Sequence, residues 1–365
     1  MSTKTQLLKI TQVIKETPDS VSLKFAVPED LKGTFRYRAG QYITLIFNIK
    51  GEEQRRAYSM SSSPVEEGIT VTVKKVKNGL VSAYINDKVK VGQEVRVLPP
   101  QGHFYLAPKE NNQKCYMLFG AGSGITPLMS IIKTVLEKEP QSNISLLYGN
   151  RTLDAIIFKE QLDKLAAQYK GQFSVDYYLS APPKTGGLKG LFGKKKTPWT
   201  GGVGRIEEEA IKLFLQEKKC IHEDSEYFVC GPGQMIDTVE QILLHRGINE
   251  RQIHFERFTA SKKTAISSTD AVEDAKLIAH LDDEKIELTI PKGKTILEVM
   301  LKNNVDAPFA CKAGVCSSCI AKVKQGEVVM DSSDALDADE IKHGYILTCQ
   351  AHPTTAVVEI DFDDL

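Results

Sequence analysis

The sequence predicts a multidomain fold: an antiparallel β-barrel, then an α/β domain on a mostly parallel sheet, then a small acidic module beyond a polar linker. Three observations carry this. At 365 residues the chain exceeds the size at which one hydrophobic core keeps growing. Near Cys115 the pattern changes from short β-like runs, broken by Pro, Gly and charge, to alternating strand, glycine turn and helix. Charge is also segregated within a chain of zero net charge: residues 276–365 hold 9 Lys+Arg against 16 Asp+Glu, and the rest hold 38 against 31. A basic body joined to an acidic piece favours internal docking or the steering of a partner, unless both are simply solvated surfaces.

Composition narrows the class. Hydrophobic residues at 41% and charged residues at 26% are ordinary for a globular protein, so disorder is not expected. Neutral net charge gives no reason to expect a nucleic-acid partner. Met1 to Lys9 lack the apolar core and cleavage site of a secretory signal, and no run approaches the roughly 20 apolar residues of a membrane span. A cytoplasmic protein is expected. Seven cysteines, an odd number, argue against a disulfide scaffold. Cys115 and Cys220 read as core or surface residues.

The barrel is expected over residues 1–108, with strands at Ser20–Val27, Gln41–Ile49 and Ile69–Val76 and one capping helix after Asn78. Pro99, Pro100 and Pro108 mark its end. The α/β domain is expected over 109–258. Its strands are Cys115–Phe119, Asn143–Tyr148, Phe173–Leu179 and Glu226–Cys230, alternating with helices at Pro127–Lys138, near Asp154–Gln168 and at Gly233–Arg246. Pro182–Trp199, rich in Pro, Gly and Lys, interrupts this order as a surface loop, a lid or a docking element. Residues 259–274 have the polar, small-residue composition of a linker, and 275–365 form the last module.

The sharpest motif lies in that module: Cys311-x4-Cys316-x2-Cys319, then Cys349 after 29 intervening residues. This is the plant-type spacing for a 2Fe-2S cluster. Such a cluster needs four thiolates, and one tight loop plus a distant strand can enclose it. Gly314, with Ala313, Ser317 and Ser318, lets backbone amides approach the sulfides. A zinc site remains the alternative, although it normally presents two short-spaced cysteine pairs.

A second constellation is Arg56-Ala57-Tyr58-Ser59, followed by Gly79-x-x-Ser82. Its physical sense is a guanidinium for a pyrophosphate, an aromatic plane for an isoalloxazine ring, and a hydroxyl that reaches the reactive ring nitrogen. Gly79, Leu80 and Ser82 open a helix whose amides suit the same pyrophosphate. Gly120-Ala121-Gly122-Ser123-Gly124-Ile125-Thr126-Pro127 then joins a strand to a helix, as phosphate binding at a helix N-terminus requires. Ile125 stands where the strict dinucleotide fingerprint has its third glycine. Cys230-Gly231-Pro232-Gly233 makes a second such turn.

In this order the motifs resemble the ferredoxin-NADP reductase superfamily, here with a C-terminal plant-type ferredoxin domain, over nearly the whole chain. Tyr148-Gly149-Asn150-Arg151-Thr152 and Pro100-Gln101-Gly102-His103-Phe104 add a resemblance to the reductase subunits of bacterial phenylacetyl-CoA epoxidases. The resemblance implies an FAD barrel, an NAD(P)H-binding α/β domain and an α+β β-grasp ferredoxin domain. It implies that Arg56, Ala57, Tyr58 and Ser59 hold the flavin, with Gly79, Leu80 and Ser82 on its pyrophosphate. Gly122, Gly124, Thr126 and Pro127 would face the nucleotide, and Cys230, Gly231 and Pro232 would lie beside the nicotinamide. Glu256 and Phe258 would lie near the isoalloxazine, unless Phe258 is only a domain-junction residue. Ser59, Cys230 and Glu256 are the groups expected nearest the chemistry.

The donor is expected to be NADPH, with Arg151 on its extra phosphate, or NADH if Arg151 is only a solvated surface residue. Hydride arrives as two electrons and a 2Fe-2S centre accepts one, so a flavin must stand between them. The implied partner is the oxygenase component of a multicomponent monooxygenase, specifically a di-iron phenylacetyl-CoA epoxidase. Alternatives are a reductase of another ring- or alkyl-hydroxylating oxygenase, a redox sensor with a degenerate nucleotide site, and a flavin oxidase.

Overall fold

The computed structural model describes residues 5–183, 199–218, 224–260, 272 and 274–364. Most of the Pro182–Trp199 insertion, most of the 259–274 linker, and Cys220 lie outside these residues.

Strands β1 (Gln6–Thr17), β2 (Ser20–Ala26), β3 (Tyr42–Ile49), β4 (Glu52–Ser59), β5 (Ile69–Lys74) and β6 (Glu94–Gln101) form one antiparallel sheet in the order β4-β3-β6-β1-β2-β5. A bridge between Met60 and Val71 joins the two outer strands and closes the barrel. Its interior is filled by Leu8, Ile10, Leu23, Phe25, Ile43, Leu45 and Val97. Each contributes about 1.5–3 kcal/mol through burial. Helix α1 (Leu80–Lys88) plugs the barrel with Val81 and Ile85.

The second domain runs β7 (Cys115–Ala121), α2 (Ile125–Lys138), β8 (Asn143–Asn150), α3 (Lys159–Gln168), β9 (Phe173–Leu179), β10 (Gly202–Val203), α4 (Glu208–Lys218), β11 (Ser225–Gly231), α5 (Gly233–His245) and β12 (Ile253–Arg257). All its strand pairs are parallel, in the order β10-β9-β8-β7-β11-β12. Helices α2 and α3 cover one face and α4 and α5 the other, so β7 and β8 are continuous apolar runs rather than alternating ones. From β7 the chain steps outward to β10, then returns to the other side of β7 as β11. That reversal opens a crevice at the carboxyl ends of β7 and β11.

Two elements differ from expectation. The helix expected near Asp154 begins at Lys159, because Leu153–Ala155 makes a 3-10 turn and Phe158 adopts a left-handed φ of 62°. Helix α4 was not anticipated. Of its residues only Ile211, Phe214 and Leu215 are buried, between charged ends. Cys115 is buried in the core of the second domain, one of the two places expected for it, and is disulfide-bonded. An odd cysteine count does not exclude a single bridge.

The third domain comprises β13 (Ala275–Leu281), β14 (Glu284–Ile290), α6 (Ile296–Lys302), β15 (Ile320–Gln325), β16 (Val328–Met330), α7 (Ala338–Lys342), β17 (Tyr345–Leu347), β18 (Ala351–Pro353) and β19 (Val357–Asp361). Its main sheet is mixed, in the order β14-β13-β19-β15-β17, with β13 and β19 parallel. Thr295 and Glu298 form a capping box that starts α6, which buries Ile296, Leu297, Val299 and Met300 on the sheet. This is an α+β domain.

The two interdomain joints differ in chemistry. Ala39, Phe104 and Leu106 of the first domain enter the apolar core of the second, and Ser130 Oγ donates to Ser62 O at 2.6 Å. The third domain meets the barrel through a few mostly polar contacts. Arg55, 7% exposed, donates to Glu53 at 2.7 Å and Asp306 at 2.9 Å and lies over the Phe309 ring at 4.4 Å. His103 Nδ1 lies 2.7 Å from Glu340 Oε1.

Removing one long cation should therefore loosen the second joint and spare the first. Arg55→Ala is expected to raise amide exchange in the Asp306–Ser318 segment at least about tenfold, the equivalent of about 1.4 kcal/mol. Protection of α2 and β7 should stay unchanged. Equal loss in both regions would contradict this division.

Candidate active site at the junction of the three domains

The crevice at the ends of β7 and β11 encloses about 630 Å³. Gly122, at φ 56°, turns the chain out of β7 in a conformation that glycine adopts without strain. Gly124 lets this turn press against β11: a Cβ there would sit 1.9 Å from the carbonyl oxygen of Cys230. Gly122, Gly124, Arg151, Gly231, Pro232 and Phe258 all line the crevice. Thr126 and Pro127 do not. Both are buried in the first turn of α2, where Thr126 Oγ1 donates to Ser123 O at 3.0 Å and shapes the turn from behind.

Three lining residues went unassigned in the sequence. Asn150 is 9% exposed, and among the described residues neither polar atom of its side chain has a partner at hydrogen-bond geometry. An orphaned buried amide at a crevice wall suits a ligand that supplies the missing partners. Arg205 and Glu207 add a second cation and a carboxylate. The Asn150 signal was present in the Tyr148–Thr152 motif; Arg205 and Glu207 follow the insertion, where no motif flags them.

A line of contacts runs from this crevice into the third domain. Cys230 on β11 pairs in register with Glu256 on β12. Ser59 Oγ donates to Glu256 Oε2 at 2.9 Å. Ser59 is opposite Tyr42 in the β3–β4 ladder, and the Tyr42 hydroxyl lies 3.2 Å from Ser317 Oγ and 3.1 Å from Ser318 Oγ. Burial pushes the Glu256 carboxyl up to about 8, and the Ser59 hydrogen bond offsets only part of that shift. Burial, reinforced by Glu256, holds the Cys230 thiol well above its ordinary value. Both shifts favour the protonated form.

Strand alternation divides the Arg56–Ser59 motif. Arg56 and Tyr58 lie on one face of β4, and Ala57 and Ser59 on the other. Arg56 is exposed and donates to Arg55 O at 2.7 Å, and Tyr58 packs partly against the barrel core. Ala57 packs with Tyr42, Ala310, Cys311 and Cys316 at the joint. Gly79 precedes α1, and Ser82 Oγ accepts from Val76 N at 3.3 Å, closing the loop, while Leu80 is exposed. These groups present a guanidinium, helix amides and an aromatic face, the donor set a flavin dinucleotide needs.

The four motif cysteines converge. Cys316 Sγ lies 3.1 Å from Cys311 Sγ, and Cys349 is within hydrogen-bonding reach of both Cys311 and Cys319. Donation from Cys316 and Cys349 holds the Cys311 thiol low, while Cys316 and Cys349 are pushed up. Ala313 N donates to Cys311 Sγ at 3.3 Å, and Gln350 Nε2 to Cys349 Sγ at 3.4 Å. Gly314 has φ 75°, and a Cβ there would meet Ser332 Oγ at 2.9 Å. Four soft sulfurs with amide donors fit the donor set of a 2Fe-2S cluster.

Three family descriptions match consecutive parts of the chain. They are an oxidoreductase FAD-binding domain at residues 7–105, an oxidoreductase NAD-binding domain at 118–241, and a 2Fe-2S iron-sulfur cluster binding domain at 279–354. The chain is 35% identical to a 1,2-phenylacetyl-CoA epoxidase component from Escherichia coli K12, over 98% of this chain and 97% of that protein. It is also 35% identical to the ferredoxin reductase component of 3-ketosteroid-9-alpha-monooxygenase from Rhodococcus rhodochrous, over 98% and 96%. Among solved structures, phthalate dioxygenase reductase shares the fold at a TM-score of 0.58 and 22% identity, covering 98% of both chains. No helix among the described residues is long and apolar enough to cross a membrane.

The raised Glu256 carboxyl has a measurable consequence. Between its ordinary value of 4.5 and about 8 the folded protein holds a proton that the unfolded chain releases. Its stability contribution is therefore complete below 4.5 and is lost as pH rises through 8. Glu256→Gln cannot titrate, so its stability relative to the parent should rise between pH 5 and pH 8, by up to a few kcal/mol. Denaturant midpoints at the two pH values measure this, and parallel curves would refute the assignment.

Proposed function

The chain belongs to the family of reductases that join FAD-binding, NAD-binding and 2Fe-2S domains in one polypeptide, and from that premise we propose that it delivers electrons from NADPH to the oxygenase of a phenylacetyl-CoA epoxidase. The observation that carries this reading is the continuous line Cys230, Glu256, Ser59, Tyr42 and Ser317. It runs from the nucleotide crevice, past the flavin motif, to the cluster loop. FAD, when bound, would supply the conversion of a two-electron hydride into single electrons, and Cys311, Cys316, Cys319 and Cys349 would hold the 2Fe-2S cluster that accepts them singly.

The chain's own residues bind, orient and insulate. We assign Arg56, Gly79, Leu80 and Ser82 to the flavin pyrophosphate, Tyr58 and Phe258 to the faces of the ring system, and Ala57 to the flavin site from the side of the third-domain joint. Ser59 and Glu256 hold a proton in a fixed place beside the ring. Gly122, Gly124, Gly231 and Pro232 let the nucleotide approach the backbone, and Thr126 and Pro127 keep that turn rigid. The neutral Cys230 thiol fills the space beside the nicotinamide without a competing charge. Domain limits of 1–108, 109–258 and 275–365, with a linker at 259–274, follow from the same reading. A cytoplasmic location belongs to the same reading.

Arg151 at the crevice rim supports NADPH, because a guanidinium suits the additional phosphate. Arg151→Ala is expected to lower kcat/KM for NADPH at least about tenfold and leave NADH nearly unchanged. Equal losses with both nucleotides, or none, would remove this role.

The oxygenase is identified by reconstitution. Purified epoxidase oxygenase should turn over phenylacetyl-CoA far faster with this reductase and NADPH than with NADPH alone. Since similar chains serve ketosteroid and glycine betaine monooxygenases, by their names, absence of that stimulation would move the proposal to another oxygenase.

A further inference from the structure

The third domain is acidic overall, yet one region of it is not. A groove of about 760 Å³ lies between the β14–α6 turn, the length of α6 and the cysteine loop. Among the described residues, Lys292, Lys294, Lys302 and Lys312 line it with a single carboxylate, Glu298. Outside the groove, residues 276–365 carry only five lysines against fifteen carboxylates. Glu298 offsets one of the four lysine charges and leaves the rim net positive. Its carboxylate accepts from Thr295 N at 3.2 Å in the capping box and lies 3.8 Å from Lys294 Nζ.

Two features tie the groove to electron transfer. Cys349, one of the four cluster thiols, forms part of its lining. The groove also remains open while the domain sits on the barrel. The joint with the barrel uses Asp306, Phe309, Ser317, Ser318 and Glu340, none of which lines the groove. Phe309 marks the border: Arg55 of the barrel lies over its ring at 4.4 Å, and Lys312 of the groove at 4.3 Å. Cys311 and Cys316 pack against Tyr42 and Ala57 on the barrel side. The cysteine loop thus has one face turned to the flavin domain and another floored by Cys349.

We propose that this groove is the docking surface for a carboxylate-rich face of the oxygenase component, so that electrons enter the domain beside Cys311 and Cys316 and leave beside Cys349. The proposal rests on the oxygenase-reductase reading above. Each transfer moves one electron: the reduced cluster is oxidised, the acceptor is reduced, and the nucleotide supplies the replacement through the flavin. Lysines spread along α6 and the loop suit a broad protein face better than a small anion. Opposite charge on such a rim steers encounter and sets its salt dependence.

The test uses the holoprotein carrying Lys294→Glu and Lys302→Glu, both on exposed side chains. With the epoxidase oxygenase as partner, the half-saturating oxygenase concentration should rise at least about tenfold at low salt. Most of that difference should disappear at about 0.5 M salt. Flavin-to-cluster transfer after rapid mixing with NADPH should not change. Unaltered saturation, or an equal slowing of internal transfer, would overturn the proposal. If the parent protein does not support that oxygenase at all, the partner is wrong but the groove is still tested by small oxidants. The double variant should then reoxidise its cluster more slowly with ferricyanide and faster with hexaamminecobalt(III), and an unchanged ratio of the two rates overturns the groove. Saturable binding of coenzyme A that the double variant loses, with oxygenase affinity unaltered, would make the groove a small-anion site and also overturn the proposal.

Discussion

The hydrogen bond from Ser59 Oγ to Glu256 Oε2 is the contact on which the site depends. It joins the last residue of β4 to β12, the final strand of the parallel sheet, across 197 positions of sequence. Burial raises this carboxyl's affinity for its proton, and the Ser59 hydroxyl donates a hydrogen bond to it. Beside it, Cys230 is held against Gly124 at the crevice floor, and Tyr42 carries the same line to the cluster loop. Loss of this contact would leave a buried polar group unpaired where the three domains converge.

The two joints divide the work. Apolar residues of the barrel penetrate the α/β core, so those domains share buried surface and the crevice keeps a fixed shape. The third domain is attached by an arginine, a tyrosine hydroxyl, a histidine–glutamate pair and a small apolar cluster around Tyr42 and Ala310, a mostly polar interface of the kind that domains can form and release. Such contacts give orientation more than affinity. Electron transfer needs that orientation, and a second docking face needs the domain's remaining surface left open.

Local chemistry was legible in the sequence to the extent that its cause was local. Cysteine spacing, glycine turns next to apolar strands and the Thr295–Glu298 capping box each act within a few residues, and each was visible or could have been read from spacing alone. Helix α4 escaped notice because only three apolar residues mark its buried stripe. The late start of α3 depends on a left-handed Phe158, a conformation that residue type does not favour. Asn150 drew no role because an amide in a strand has no chemistry until its burial and missing partners are known.

By itself the sequence determined the domain order, the four-sulfur donor set and the strand–turn–helix units, because hydrophobic period and residue spacing operate along the chain. Only the tertiary structure decided which distant residues meet. It brought Ser59 to Glu256, Tyr42 to Ser317 and Arg55 to Asp306, and it gathered four lysines of an acidic domain around one groove. Packing and sheet topology made those choices. Parallel pairing of β11 with β12 and closure of the barrel set side chains in contact that no local rule relates.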